Sequence, residues 1–479
     1  MNQVAIIGAG PGGLVAARFL KSQGFSPVLF EAHSNVGGQW DHTNPMSGVW
    51  PQMRTNTARM VTRFSDLDHP EHVSLFPRNT EIAAYLRTYA EAFGLLGGIH
   101  FSTRLVGLER SDDAWKLVLE TEEGRRETHF NRVVIATGAY NRPDIPVVQG
   151  LEEFAGSAGV IHAFSYKDPE LYRGKRVLIA GGNISALEIA SDLAMLGADR
   201  VATAMRRQRY VMPKLIAGTP VESYGFTRAA ALRQEREDPE VLARETRNFV
   251  LQYGGNPAWF GAPEPHEDVR VAGTTGSQNF LNLVAEDRIS CFPWIDRIEG
   301  RRVVFTDGRA EDFDGIIFGT GYRLNLPFLS SDLRETLEVG EKGLTLAEQT
   351  FHPDTPGLAF MGLYAQIGPY LPVLEQQARF LAYSWGGAIA SMSEGEAYAA
   401  CEASRRNRGG DLYQHVQSIR FARLAQCDPE GRIDPELADL LSRNAVTALS
   451  FRLVGPDALA GAEAQVRADA ARYGRKVLT

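Results

Sequence analysis

Two glycine-rich turns carry the clearest chemical signal in this 479-residue chain. The first, Gly8-Ala9-Gly10-Pro11-Gly12-Gly13, follows an apolar run at residues 4–7 and precedes a second at residues 14–20. Gly8, Gly10 and Gly13 fit the spacing GxGxxG. In that pattern the first glycine allows a tight turn, the second lets backbone approach a pyrophosphate, and the third lets helix pack closely on strand. A helix starting beyond the turn offers unpaired N–H groups and about half a positive charge to a phosphate. Glu31 ends the next apolar run, Val28-Leu29-Phe30, 23 residues after Gly8. A carboxylate at that distance accepts from ribose hydroxyls. A bound dinucleotide is therefore expected at Gly8, Gly10, Pro11, Gly12, Gly13 and Glu31.

A second turn has a similar plan. Arg176-Val177-Leu178-Ile179-Ala180 reads as a strand, Gly181-Gly182-Asn183-Ile184-Ser185-Ala186 as the turn, residues 187–196 as a helix and residues 201–205 as another strand. Arg206 and Arg207 stand where the first unit has its acidic residue. Arginine there pairs with a ribose 2′-phosphate and favours NADP over NAD. Only 7 of the 50 basic residues are lysine, so a chance arginine pair is the competing explanation. Asn183 takes the place of the second glycine, where a Cβ crowds an approaching pyrophosphate. Either the turn is shifted, with Gly182 helping, or the site binds weakly. Gly181, Gly182, Asn183, Ser185, Ala186, Arg206 and Arg207 form the second candidate set.

The elements that must hold these turns are short apolar runs followed by helical periods, the pattern of parallel βαβ units in an α/β fold. At roughly 150 residues per domain the length suggests two to four domains. With 44% hydrophobic and 23% charged residues, the chain can bury substantial cores, which excludes general disorder. Fifty basic against 58 acidic residues give a net charge of −8, with no support for a nucleic-acid surface. No apolar run reaches the eighteen or so residues of a membrane span, and no basic leader precedes the first strand. A cytoplasmic protein without a membrane partner is expected.

Cys291, Cys401 and Cys427 are too scattered for a disulfide framework or a CxxC redox pair, which counts against a flavin disulfide reductase. His69 and His72 flank Pro70 and read as a solvated loop, so no metal is expected. Residues 228–260, rich in charge with a helical period, read as an exposed helical excursion with mixed-sign pairs. Residues 330–350 read as a loop or short hairpin. No Ser–His–Asp set or carboxylate pair is apparent.

Two dinucleotide units suggest one bound redox cofactor and one exchangeable hydride donor. Over nearly its whole length the chain resembles the flavin-containing branch of the class B flavoprotein monooxygenases. Gly37-Gly38-Gln39-Trp40 resembles the family's GGxW segment beside the flavin, and Thr55-Asn56-Thr57 its TN motif. Ala136-Thr137-Gly138, with Pro143 and Pro146 following, is similar to the chain crossing out of the FAD domain. Asp314 through Gly319-Thr320-Gly321-Tyr322 resembles the ATGY return crossing, with glycine replacing alanine. Residues 356–362, which end at Gly362, then Glu375-Gln376-Gln377-Ala378, resemble the last FAD-binding strand and helix, and residues 451–456 the closing segment. The identifying motif FxGxxxHxxx followed by Tyr, Phe or Trp is matched by Phe154, Gly156, His162 and Tyr166. Five residues instead of three separate Gly156 from His162, which puts the role of His162 in question. Tyr166 resembles the heteroatom-oxidising branch, whereas the Baeyer–Villiger branch carries Trp there.

The resemblance implies two Rossmann-like domains, an NADPH domain (165–312) inserted into an FAD domain (1–150 and 313–479, the latter with a C-terminal helical segment). It implies that NADPH reduces FAD, that O2 forms a C4a-hydroperoxyflavin, and that this oxygenates nitrogen or sulfur in a small molecule. Asn56 is the residue expected to act directly, because an amide can donate and accept without adding charge. Gly38, Gln39, Trp40, Thr55, Thr57, Thr137, Gly138, Tyr322, Gly362 and Gln366 complete the implied cofactor contacts. A Baeyer–Villiger ketone monooxygenase, an NADPH oxidase and a non-catalytic flavin-binding protein are the alternatives. A homodimer is the common outcome for such soluble enzymes.

Overall fold

The computed structural model describes residues 2–341 and 343–476. Gln3–Ile7 is the middle strand of a five-stranded parallel sheet, flanked by Ser26–Phe30 and Val133–Ile135, with Ile99–His100 and Leu358–Phe360 at the edges. Val4, Ala5 and Ile6 are wholly buried, which is why the strand reads as an unbroken apolar run instead of an alternating one. The helix Pro11–Ser22 follows the first glycine turn with Pro11 in its first turn, where the missing N–H costs nothing. Its Leu14, Val15, Phe19 and Leu20 pack into one core with the helix Tyr370–Gly386. An antiparallel meander, Arg104–Ser111, Ala114–Thr121 and Gly124–Phe130, covers the opposite face through Leu105, Trp115 and Leu117.

A second five-stranded parallel sheet runs in the order Ile289–Pro293, Arg200–Met205, Arg176–Ala180, Gly315–Phe318, Gly159–His162. The helix Ile184–Leu196 follows its central strand, as the second turn predicts. One strand comes from each side of the expected 165–312 span, so this sheet runs from 159 to 318. The chain leaves the first sheet after Val133–Ile135 and returns to it at Leu358–Phe360. The second unit is thus inserted into the first.

The excursion at 228–260 is two helices, Arg228–Arg236 and Pro239–Tyr253, joined by Arg233 pairing with Glu237 at 2.6 Å and with Glu245. Two expectations are corrected. Residues 330–350 pair Gly340 with Gly343 in an antiparallel bridge, as a short hairpin would, but open with the helix Ser331–Thr336, started by the Ser330 hydroxyl accepting from Leu333 N–H at 3.4 Å. His69 is not solvated: it is 4% exposed, with Nε2 2.8 Å from the Thr62 carbonyl and its ring against Tyr85. Pro70 turns the chain there so that His69 fills the core while His72 stays exposed.

Candidate active site

The first glycine turn is built as its sequence predicts. Gly8 has φ +105°, and a Cβ there would lie 2.6 Å from the Ala136 carbonyl oxygen. A Cβ on Gly13 would lie 1.9 Å from the Gly8 carbonyl oxygen, so strand and helix can approach this closely only through glycine. Glu31 is 7% exposed and accepts from the Ala9 N–H at 2.6 Å and the His33 N–H at 2.9 Å. Burial pushes its carboxyl up, against the pull of those two amides. The carboxylate therefore ties the tip of the turn to the end of the second strand, where a ribose would sit.

Gly37 N–H donates to the Ala9 carbonyl at 3.0 Å, which lays the Gly38–Trp40 turn against the glycine turn. Gly10 and Gly38 then meet backbone to backbone: a Cβ on Gly38 would stand 3.1 Å from the Gly10 Cα. Gly12 lies beside Leu374, Met361 and Ala136. Gln39 donates to the Tyr140 carbonyl at 2.5 Å and so bridges to the chain that leaves the first sheet, while Trp40 packs half-buried against the first core.

In the Thr55-Asn56-Thr57 turn, both hydroxyls are spent locally. Thr55 Oγ1 donates to the Thr57 carbonyl at 2.8 Å, and Thr57 Oγ1 pairs with Thr62 Oγ1 at 3.0 Å. Asn56 Oδ1 between them is shielded from solvent and has no hydrogen-bond partner among the described residues. Thr137 Oγ1 and Gln366 Oε1 are in the same condition. A buried acceptor or donor without a partner costs about 1–3 kcal/mol, so each of these three is free to bond a polar ligand. Gly138 turns the chain at φ +76° next to Thr137. Gly362 turns at φ +66° and donates its N–H to Gln377 Oε1 at 3.0 Å. Gln377, buried and bonded also to the Gln349 and Phe360 carbonyls, is a positioning residue that the sequence reading left inside a motif without a role.

Tyr322 stands where the two crossings meet, its short strand pairing with Arg142–Pro143. Its ring is edge-on to His162 at 5.1 Å, Tyr140 at 5.7 Å and Phe164 at 6.1 Å. Burial, then Tyr140, pushes its phenol up to about 12, so it stays a neutral donor. His162 ends a strand of the second sheet; its Nδ1 accepts from the Phe164 N–H at 3.1 Å, and burial holds its pKa down. The two extra residues before it are absorbed by a turn in which Gly159 N–H donates to the Gly156 carbonyl at 3.0 Å with φ +68° at Gly159. Tyr166 is wholly buried against Trp50 and Tyr172, away from the Tyr322 cluster.

The second glycine turn is close-packed as well. Gly181 has φ +145°, and its Cβ would lie 2.4 Å from the Gly319 carbonyl oxygen and 3.2 Å from the Ala186 Cβ. Gly182 faces the Met205 sulfur. Asn183 caps the helix with φ −104° and ψ 173°, ordinary extended backbone and close to the −77° and −175° of Gly10. Its side chain is exposed and makes no capping bond among the described residues, and Ser185 is also exposed. The turn is therefore not shifted, and asparagine fits its backbone without strain. Arg206 lies over the Trp294 ring at 4.7 Å, while Arg207 donates to the Val271 carbonyl at 2.8 Å. Arg209, which the sequence reading passed over, donates to the Thr274 carbonyl at 3.3 Å; burial and then Arg207 lower its pKa. Its place two residues after Arg207, just ahead of the strand Tyr210–Met212, was the available signal.

Two glycine turns, each leading from a strand of a parallel sheet into a helix, are thus joined by paired crossings. A family model described as flavin-binding monooxygenase-like matches residues 1–479. The chain belongs to this family. Flavin-containing monooxygenase 5 of Oryctolagus cuniculus is 27% identical over 95% of this chain and 89% of its own length. Dimethylaniline monooxygenase [N-oxide-forming] 2 of Rattus norvegicus is 27% identical over 96% of this chain and 90% of its own. Among solved structures, S-allyl-L-cysteine S-oxygenase from Allium sativum aligns with a TM-score of 0.66 at 23% identity, covering 92% of this chain and 91% of that one. Cyclohexanone monooxygenase aligns at 0.67 and 17%, covering 90% and 98%, which establishes the shared fold. This monooxygenase-family chain is thus a flavin-binding oxidoreductase. Among its described residues, no helix is long and apolar enough to cross a membrane.

Proposed function

We propose that the protein is an FAD-containing, NADPH- and O2-dependent monooxygenase that oxygenates a soft nitrogen or sulfur atom of a small molecule. The observation that carries this reading is the unpartnered Asn56 Oδ1, held by a turn whose own threonines are already satisfied. FAD would be held by the first glycine turn together with Glu31, Gly38, Thr137, Gly362 and Gln366. NADPH would be held by the second turn, with Arg206, Arg207 and Arg209 supplying positive charge for a 2′-phosphate, and the exposed Asn183 side chain would have to turn aside for its pyrophosphate. When bound, the flavin supplies the electron transfer and the oxygen activation.

The residues of this chain then orient and exclude. Asn56 offers an amide that donates and accepts beside the reacting face. Tyr322, Tyr140 and Phe164 form an aromatic cluster where the two units meet, beside the crossings. Tyr322 is neutral across the working pH range and can hold a carboxamide without trapping a proton. The N-oxide-forming rat relative and the Tyr166 position favour heteroatom chemistry over ketone insertion.

The test is anaerobic mixing of the purified yellow protein with NADPH or NADH, then oxygen with a tertiary amine, a thioether or a ketone. Rapid bleaching by NADPH and an N-oxide or sulfoxide product support the reading. Lactone or ester from the ketone alone assigns the Baeyer–Villiger alternative, and peroxide without product assigns an oxidase. No bleaching with either nucleotide assigns a flavin-binding protein without this chemistry.

A further inference from the structure

Glu222 begins the short helix Glu222–Gly225, just ahead of the excursion at 228–260, and its side chain reaches the first unit. It is 1% exposed. Its Oε1 accepts the Ala58 N–H at 3.0 Å, two residues beyond Asn56, and its Oε2 is buried without a partner among the described residues. A buried carboxylate with one idle oxygen is poor structural glue, since an apolar side chain of similar size commonly serves stability as well or better. The contact therefore calls for another explanation.

The surrounding bonds supply one. On one side, Ser223 Oγ donates to the Tyr473 carbonyl at 2.8 Å, and Arg475 donates to the Ser223 and Tyr224 carbonyls at 3.1 and 3.0 Å. On the other, Val221 N–H donates to the Lys214 carbonyl at 3.0 Å, and Lys214 Nζ meets Glu188 at 2.7 Å. Glu188 sits on the helix Ile184–Leu196, which starts at the second glycine turn. A continuous set of contacts thus runs from the pyridine-nucleotide turn through Glu188, Lys214 and Glu222 to Ala58, and so to Asn56.

We propose that Glu222 is a positioning residue for Asn56, holding the Asn56 turn through the Ala58 N–H and so tying its orientation to the second unit. This rests on the proposed role of Asn56. An ionised carboxylate holds an N–H more tightly than a neutral one. Burial pushes the Glu222 carboxyl up to about 7, opposed by its own N–H, by Ala58 and by Lys214. The other charged groups on adjoining elements are committed elsewhere: Arg59 to the His69, Pro70 and Val73 carbonyls, Arg475 to the helix backbone, and Asp469 to Arg63. The grip on Ala58 therefore strengthens as pH rises through neutrality.

The experiment uses the full-length flavoprotein with E222A, E222Q, N56A and the E222A/N56A pair. Hydrogen exchange over residues 55–61 reads the contact without catalysis, and E222A is expected to lose protection that E222Q keeps. Product formed per NADPH reads the positioning. E222A is expected to lower it about tenfold, the scale of one charge-assisted hydrogen bond. Because the effect runs through Asn56, adding E222A to N56A is expected to lower it no further than N56A alone. E222Q is expected to sit at the low-pH level of the wild type and not to rise with pH. Wild-type coupling in E222A, losses that add in the pair, or a surviving pH rise in E222Q overturns the proposal. If the wild type oxygenates nothing, the functional reading fails. Glu222 is then judged by the exchange data and by the NADP+-induced change in flavin absorbance, which E222A must lose.

Discussion

The Ala186 Cβ lies 2.8 Å from the point that a Cβ on Gly319 would occupy. Gly319 ends a strand of the second sheet, its N–H donates to the Ala180 carbonyl at 2.8 Å, and its carbonyl faces Gly181. Glycine at this crossing, where the family motif has alanine, is therefore the counterpart of Ala186 in the opposing helix. Restoring the motif with Gly319→Ala is expected to cost about 1–3 kcal/mol in urea unfolding by overpacking. Adding Ala186→Gly should relieve the contact with the Ala186 Cβ, leaving those to its backbone at 3.1 and 3.2 Å, while losing about 1 kcal/mol of helix propensity. A Gly319→Ala protein of wild-type stability would show that the helix yields freely.

Arg206 is expected to discriminate between the two nicotinamide nucleotides. Its guanidinium is parked on Trp294 and not on a carboxylate, so it can turn to a phosphate without breaking an ion pair. Arg206→Ala should raise KM for NADPH about tenfold and leave NADH nearly unchanged in steady-state assays. Equal effects on both would leave the 2′-phosphate to Arg207 or Arg209.

Asp192 on the helix of the second unit accepts the Trp50 indole N–H of the first at 2.7 Å. Burial raises its pKa from 3.8 to about 6, with the Trp50 bond opposing. The folded state then holds a proton that the unfolded state releases, so this stability is full below pH 3.8 and is lost as pH rises through 6. Asp192→Asn keeps the acceptor and removes the titration. Relative to wild type it should gain about 1–3 kcal/mol between pH 4 and 7, read by denaturant midpoints at each pH. A constant difference across that range would place the charge elsewhere.

Much of this architecture was legible in the chain because glycine leaves an unambiguous mark. Gly8, Gly13 and Gly181 stand where a Cβ would strike a carbonyl within 2.6 Å, and their spacing reports that directly. Glu31 was legible for the same reason, since it ends the strand that the turn must face. Glu222 was not: its partner Ala58 lies 164 residues away, and nothing local distinguishes it from the exposed glutamates of the excursion that follows. Gln377 was hidden inside a recognisable motif, because its five bonds form only when the last strand and helix meet. His69 misled because a histidine beside proline looks like a loop whether or not the core closes over it.

Asn56 is the residue on which the proposed chemistry turns, and its neighbours make it testable. Because Thr55 and Thr57 bond within the turn, Asn56→Ala removes an amide without removing what shapes the backbone. Flavin content and the rate of bleaching by NADPH should therefore remain near wild type. Product per NADPH should fall about 10- to 100-fold, the value of one or two hydrogen bonds made near the reacting centre, with peroxide making up the difference. Asn56→Asp separates shape from chemistry: it is nearly isosteric but places an anion where the amide gave a donor. It should lose coupling at least as fully as alanine at pH 8 and recover some of it at low pH, where the protonated acid donates again. Unchanged coupling in Asn56→Ala would return this residue to the role of an ordinary turn asparagine, and the reacting face would then have to be sought around Tyr322.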